Sequence, residues 1–101
     1  MAVLSQNDKS VAITATAGTP LIVSSWRGIF QAPLTIAVSP GAAGTIVVGY
    51  LVASGGVWRQ PSSGNLSGTI STSVADVFTG PMYSLRFTAT TSDAIIEISE
   101  Q

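Results

Sequence analysis

The side chains that could do chemistry here are few. The carboxylates are Asp8, Asp76, Asp93, Glu97 and Glu100, and the cations are Lys9, Arg27, Arg59 and Arg86. Histidine and cysteine are both absent, which removes the commonest general base, the commonest metal ligands and the thiol nucleophile. A glycosidase would need two carboxylates facing across a cleft. Asp93, Glu97 and Glu100 fall in the last turn, strand and tail and read as solvated charges. Asp8 belongs to a terminal segment, and Asp76 is a lone acid among small residues. Gly41-Ala-Ala-Gly44 lacks the Lys-Ser/Thr that would hold phosphate and Mg²⁺, and the acids are too scattered for a calcium loop. Asn65-Leu66-Ser67 matches a glycosylation sequon, idle without a secretion signal. The expectation is a protein that is not an enzyme, with no cofactor and no metal.

Two residue types remain for recognition. Arg86 lies between Leu85 and Phe87. Either it points outward beside Thr88 and Glu97 on a wet face, or it pairs with a neighbouring subunit's acid or C-terminus, because an unpaired buried charge is costly. Trp26-Arg27 and Trp58-Arg59 repeat a dipeptide, but their flanks differ and no internal repeat follows. A strand-end Trp reads first as a rim-of-core residue with its indole N–H at the surface. The other readings are a sugar-stacking platform, with Tyr50 and Tyr83 as further candidates, or an interface anchor. The candidate interface residues are thus Trp26, Trp58, Tyr83, Arg86 and Glu97.

The elements that would carry them are strands. Apolar residues make up 46% of the 101 and charged residues only 9%, against about 25% charged in an average domain, so disorder is unexpected. With a net charge of −1 and no basic run, a nucleic-acid stripe is excluded. The longest apolar run, 46–53, is too short to span a bilayer, which takes roughly 20 residues. The start has neither a basic n-region nor an apolar h-region, so no signal peptide is expected. Residues 1–10 read as a lead-in and 11–101 as one domain.

Period-2 alternation marks strands at 11–16 and 34–39, richness in β-formers marks 21–26, a continuous apolar run marks 45–52, and 57–59 follows it after a turn, with weaker strands around 66–70 and 71–78. A helical turn at 74–78 is the alternative for the last. Residues 29–32 are an ambiguous edge segment before Pro33. Residues 45–52 are apolar on both faces, which suits a strand covered from two sides, and Gly49 implies a bulge or a close backbone approach. At the end, Leu85, Phe87 and Ala89, then Thr91-Ser92-Asp93, then Ala94, Ile96 and Ile98 predict a closing hairpin. The expected architecture is all-β, an antiparallel β-sandwich, jelly-roll-like or Ig-like, of about seven to nine short strands. The expected core is Val11, Ile13, Leu21, Val23, Ile36, Val38, Val48, Tyr50, Val52, Leu85, Phe87, Ile96 and Ile98.

Several segments look familiar together: Ala32-Pro-Leu-Thr-Ile-Ala-Val-Ser39, Gly44-Thr-Ile-Val-Val-Gly-Tyr50, Gly55-Gly-Val-Trp58, Pro61-Ser-Ser-Gly64, Phe78-Thr-Gly-Pro81 and Ser84-Leu-Arg-Phe-Thr-Ala-Thr90. Their order resembles small virion structural proteins of tailed bacteriophages, over about residues 33–101, with Gly80-Pro81 and Leu85-Arg86 as the most specific part. The resemblance implies a capsid decoration or cement protein, or a head- or tail-associated fibre module. Its partners would be virion capsid or tail proteins and further copies of itself, and its location the virion, after synthesis in the host cytoplasm. No catalytic residue carries over.

Scarce charge and a strand apolar on both faces add the expectation of a homotrimer. In it residues 84–99 and the N-terminal segment reach across, and Arg86 forms a cross-subunit ion pair. The alternative is a carbohydrate-binding sandwich, with a host-surface glycan as ligand. Aromatics aligned on one open face would favour it, and aromatics in the core or an interface would oppose it.

Overall fold

Alternation decides which face of each strand is hidden, and the strands fall into two layers accordingly. The computed structural model describes residues 2–4, 10–25, 33–79 and 82–100. The strands are β1 (Ala2–Leu4), β2 (Ser10–Ala15), β3 (Leu21–Ser25), β4 (Leu34–Ser39), β5 (Thr45–Leu51), β6 (Thr69–Ile70), β7 (Val74–Phe78), β8 (Ser84–Thr90) and β9 (Ala94–Glu100). Sheet A has the order β1-β3-β8-β5-β6 and sheet B the order β2-β9-β4-β7. Pairing is antiparallel except between β1 and β3, which run parallel. The fold is an all-β sandwich.

Its topology follows from how the chain alternates between layers. Strands β2, β4, β7 and β9 build sheet B, while β3, β5, β6 and β8 face them in sheet A. From β2 onward the chain changes sheet at every step except β5 to β6. The orders 2-9-4-7 and 3-8-5-6 are those of a jelly roll. The immunoglobulin order is different.

The core lies between the layers. Leu34, Ile36, Val38, Ile96 and Ile98 of sheet B meet Val23, Ile46, Val48, Leu85, Phe87 and Ala89 of sheet A. Eight of the expected core residues, Val23, Ile36, Val38, Val48, Leu85, Phe87, Ile96 and Ile98, are buried. Val11, Ile13, Leu21 and Tyr50 are partly buried against that cluster. Val52 is not core: β5 ends at Leu51, the chain turns towards Gly55, and Val52 is 59% exposed.

The closing hairpin is the main correction. β8 and β9 are not paired; they belong to different sheets and face one another across the core. Residues 91–93 form an arch between layers. A hairpin and an arch hide the same alternate residues, so alternation could not separate them. What fixes the arch is a set of neighbours. Asp93 Oδ1 accepts the Ala17 N–H at 2.9 Å, and Ser92 Oγ donates to the Ala42 carbonyl at 2.6 Å. Gly18 N–H donates to the Ala89 carbonyl at 3.0 Å. The β2–β3, β4–β5 and β8–β9 connections are all such arches, side by side at one end.

Smaller differences have equally local causes. Residues 74–78 are strand rather than a helical turn, because β4 supplies a ladder partner. Residues 57–59 contribute a single bridge, Tyr50 to Arg59, in place of a strand. Around 66–70 only Thr69–Ile70 pairs, while Leu66 plugs the core from a loop. Part of the N-terminal segment, Ala2–Leu4, pairs with β3 of its own chain. Residues 29–32, Trp26 and Gly80-Pro81 lie outside the described residues.

Candidate functional site

Sandwich alternation turns every second strand residue outward, so the two outer faces are the surfaces strands can offer a partner. On sheet A the pairing gives the outward rows Ile22–Arg86–Gly49, Ser24–Ser84–Leu51 and Thr88–Val47–Thr69, of which Gly49, Ser84 and Leu51 are themselves buried and the rest partly or fully exposed. Arg86 therefore stands mid-sheet. Its neighbour Gly49 presents no side chain, and a Cβ there would lie 3.6 Å from Arg86 Nε and 3.5 Å from the Arg59 carbonyl. Arg86 lies across β5 to Trp58.

The guanidinium carbon sits 4.6 Å from the Trp58 ring centroid. Trp58 is held there by the strand-like bridge beside it: Tyr50 N–H donates to the Arg59 carbonyl at 2.8 Å and Arg59 N–H to the Tyr50 carbonyl at 2.9 Å. A Cβ at Gly49 would make only ordinary contacts, so the close backbone approach expected from its place in the strand is not what the glycine serves. A half-exposed stack of this kind contributes about 0.5–1 kcal/mol. More usefully, it holds a planar five-donor fork in one orientation. Among the described residues no carboxylate pairs with it. Below it, the Ser24 and Ser84 hydroxyls bond each other at 3.0 Å.

Glu97 is elsewhere. On sheet B the outward rows are Ser10–Ser99–Thr35–Val77, Ala12–Glu97–Ala37–Ala75 and Thr14–Ile95–Ser39. Glu97 is exposed at the centre of this face, flanked by alanines, with Ile95 51% and Val77 48% exposed. A shallow depression runs beside it, lined by Val11, Ala12, Thr35, Ala37 and Ser99. The expectation that Arg86 and Glu97 share a wet face fails because β8 and β9 are in opposite sheets. Each charge points away from the other across the whole sandwich.

The aromatics among the described residues do not align. Tyr50 points inward and meets Phe78 edge-on, with centroids 5.4 Å apart and planes at 69°. Tyr83 is half-buried and joins its chain to the end of β5, its N–H donating to the Leu51 carbonyl at 2.7 Å. Trp58 alone among these lies on a sheet face.

One cleft, of about 350 Å³, opens between the loop 61–66 and β7, lined by Tyr50, Leu66, Phe78 and Met82 with Ser62 and Asp76. Sequence reasoning left Asp76 without a task; the structure gives it one. Its Oδ1 accepts the Val77 N–H at 2.8 Å and its Oδ2 the Asn65 N–H at 3.0 Å, while Asn65 Nδ2 donates to the Ala75 carbonyl at 3.1 Å. Those two amides, Val77 first, hold the Asp76 carboxyl below its usual range. The clasp covers the outer edge of β7, which would otherwise offer unpaired backbone groups. The signal in sequence was the adjacent turn, Pro61 to Asn65, placed to meet a short acid.

No three potential metal-ligating side chains converge among the described residues. No family model, curated protein or solved structure matches this chain.

Proposed function

We propose that this chain is a non-enzymatic structural module of a bacteriophage virion, a capsid decoration or cement protein or a fibre-type module that works joined to other subunits. The observation that carries this reading is the character of the two sheet faces. Sheet B turns Ala12, Ala37, Ala75, Ile95 and Val77 to the outside around one carboxylate, and sheet A turns Trp58, Val47 and Ile22 around one guanidinium. Faces so poor in charge suit burial against protein.

The extent of the surface is ordinary. At 5317 Å² it matches the ~5,400 Å² expected of a compact monomer of this mass. What favours assembly is therefore the composition of the faces. The jelly roll is a fold of viral capsid and lectin domains alike, so it supports the reading only as analogy. The absence of His and Cys from the sequence and the structural tasks of Asp76 and Asp93 argue for a binding rather than a catalytic role. On this reading the partners are capsid or tail proteins and copies of the chain, with neither nucleic acid nor lipid among them. The test is cosedimentation with isolated shells and isolated tails. Saturable binding to one of them is expected, and binding to neither removes the proposal.

A second reading, a glycan-binding sandwich, has the cleft beside Tyr50, Phe78 and Asp76 in its favour, because its ~350 Å³ falls within the range of ligand pockets. Titration with a panel of oligosaccharides, followed by the NMR signals of Tyr50 and Phe78, separates it. Shifts at those rings with no binding to virions would replace the first reading by the second.

A further inference from the structure

Arg86 and Glu97 are complementary groups that cannot meet within one molecule. Among the described residues each is the one charge on the strand-built part of its outer face, and neither has an ion-pair partner. One face presents a guanidinium fixed on an indole; the other presents a carboxylate on a bed of alanines. We infer that copies of this chain associate back to face, the outer surface of sheet A on the outer surface of sheet B of the next copy, with the Arg86 fork taking the Glu97 carboxylate. This deepens the structural role proposed above and rests on it for the setting in which such contacts would matter.

Side-chain sizes on the two faces are complementary as well as their charges. Trp58 and Arg86 are the residue types that dominate interface energetics, and they rise beside the bare Gly49. Opposite them, Ala12 and Ala37 flank Glu97 and leave room for a ring and a guanidinium to settle. Ile95 and Val77 supply the apolar area around the ion pair. The carboxylate would accept two parallel N–H bonds, a geometry lysine could not reproduce.

Geometry also fixes the kind of assembly. The outer faces of a sandwich look in opposite directions, whereas a closed three-fold ring needs mating surfaces inclined to one another. Repeating a contact between opposite faces gives an open stack. Its axial repeat would be about 20 Å, two sheet-to-sheet spacings of about 10 Å each, close to the molecule's shortest extent of 22 Å. The expected homotrimer would therefore have to use other surfaces.

The contact is also small. Four strands about 4.8 Å apart and some 20 Å long give a footprint on the order of 400 Å², half of the ~800 Å² per partner of a standard interface. Association should be weak in dilute solution and effective where copies are held at high local concentration.

The experiment is a charge swap read by sedimentation velocity from about 1 μM to about 1 mM. Wild type should show mass rising with concentration. Arg86→Glu alone and Glu97→Arg alone should each lose association by about tenfold or more, because like charges then meet at every contact. Mixed in equal amounts they should associate again. The carboxylate introduced at position 86 of one variant then meets the guanidinium introduced at position 97 of the other, while the native pair forms at the alternate contact. Unchanged circular dichroism and melting temperature show that each variant is folded. A wild type monomeric throughout, single variants that still associate, a closed trimer insensitive to both changes, or a mixture that stays monomeric would each overturn the inference. The two proposals fail separately: binding to virions without the charge-swap pattern removes only the stack, and the charge-swap pattern without virion binding removes only the virion.

Discussion

The stacked arches make Gly41→Ala the most informative single substitution. A Cβ at Gly41 would stand 2.5 Å from the Asp93 carbonyl oxygen and 2.8 Å from Ser92 Cβ. Non-bonded heavy atoms settle at about 3.5–4.0 Å, so the β4–β5 loop and the β8–β9 arch must part by roughly 1 Å. Neither obstacle is the end of a flexible side chain. Parting by that much takes the Ser92 Oγ bond to Ala42, now 2.6 Å, past the ~3.5 Å at which a hydrogen bond ceases to count. Overpacking with backbone shifts costs about 1–3 kcal/mol, and the lost neutral bond adds about 0.5–1 kcal/mol.

The expected loss is therefore about 1.5–4 kcal/mol out of a total of about 5–15 kcal/mol. In urea, where slopes run about 1–3 kcal/mol per molar, the midpoint should fall by about 1–2 M at constant slope. Gly18→Ala is the control. Its φ of +83° carries the left-handed cost, about 1–2 kcal/mol, but nothing lies within 4 Å of the new Cβ. If Gly41→Ala unfolds within about 0.5 kcal/mol of wild type, or more mildly than Gly18→Ala, the arches are not packed together and the layer assignment of β9 is wrong.

Other outcomes follow from single sites. Asp76 has its pKa lowered by the Val77 and Asn65 amides, so its contribution is full above its ordinary value of 3.8 and is lost as pH falls through the lower folded value. The melting-temperature gap between wild type and Asp76→Asn should be open at neutral pH and close as pH falls through the lowered folded value; a gap independent of pH would refute the clasp. Phe87→Ala, at a fully buried site, should cost about 3–5 kcal/mol in denaturant titrations, while Val52→Ala should stay within about 0.5 kcal/mol. Gly49→Ala meets only ordinary contacts, the nearest at 3.5 Å. It should be tolerated or stabilise by about 0.4–1 kcal/mol, and a drop in melting temperature would mean that Arg86 lies closer to β5 than described.

Strand positions were legible because alternation is local: Leu85, Phe87 and Ala89 had to share a hidden face whatever lay opposite. Partners were not legible. The residues 91–93 suit a hairpin or an arch equally, and the choice rests on Ala17, Gly18 and Ala42, distant in sequence. That one ambiguity moved Glu97 to the wrong face. Arg86 and Trp58 were each singled out, but their union depends on a bridge that no periodicity announces. Val52 was misplaced because an apolar run does not state where its strand stops.

The position of the last strands has a consequence for how the chain is made. β8 sits between β3 and β5, and β9 between β2 and β4, so residues 84–100 are the middle of both layers. A ribosome adding about 5–20 residues per second releases every flanking strand before either central one. Until then only the pairings of β1 with β3, β4 with β7 and β5 with β6 are open to the chain. Sheet completion must await the release of residues 84–100 and close long loops all at once, which makes folding slow. For that interval the strands that flank β8 and β9 have bare edges, and the cell that makes this protein must keep them apart.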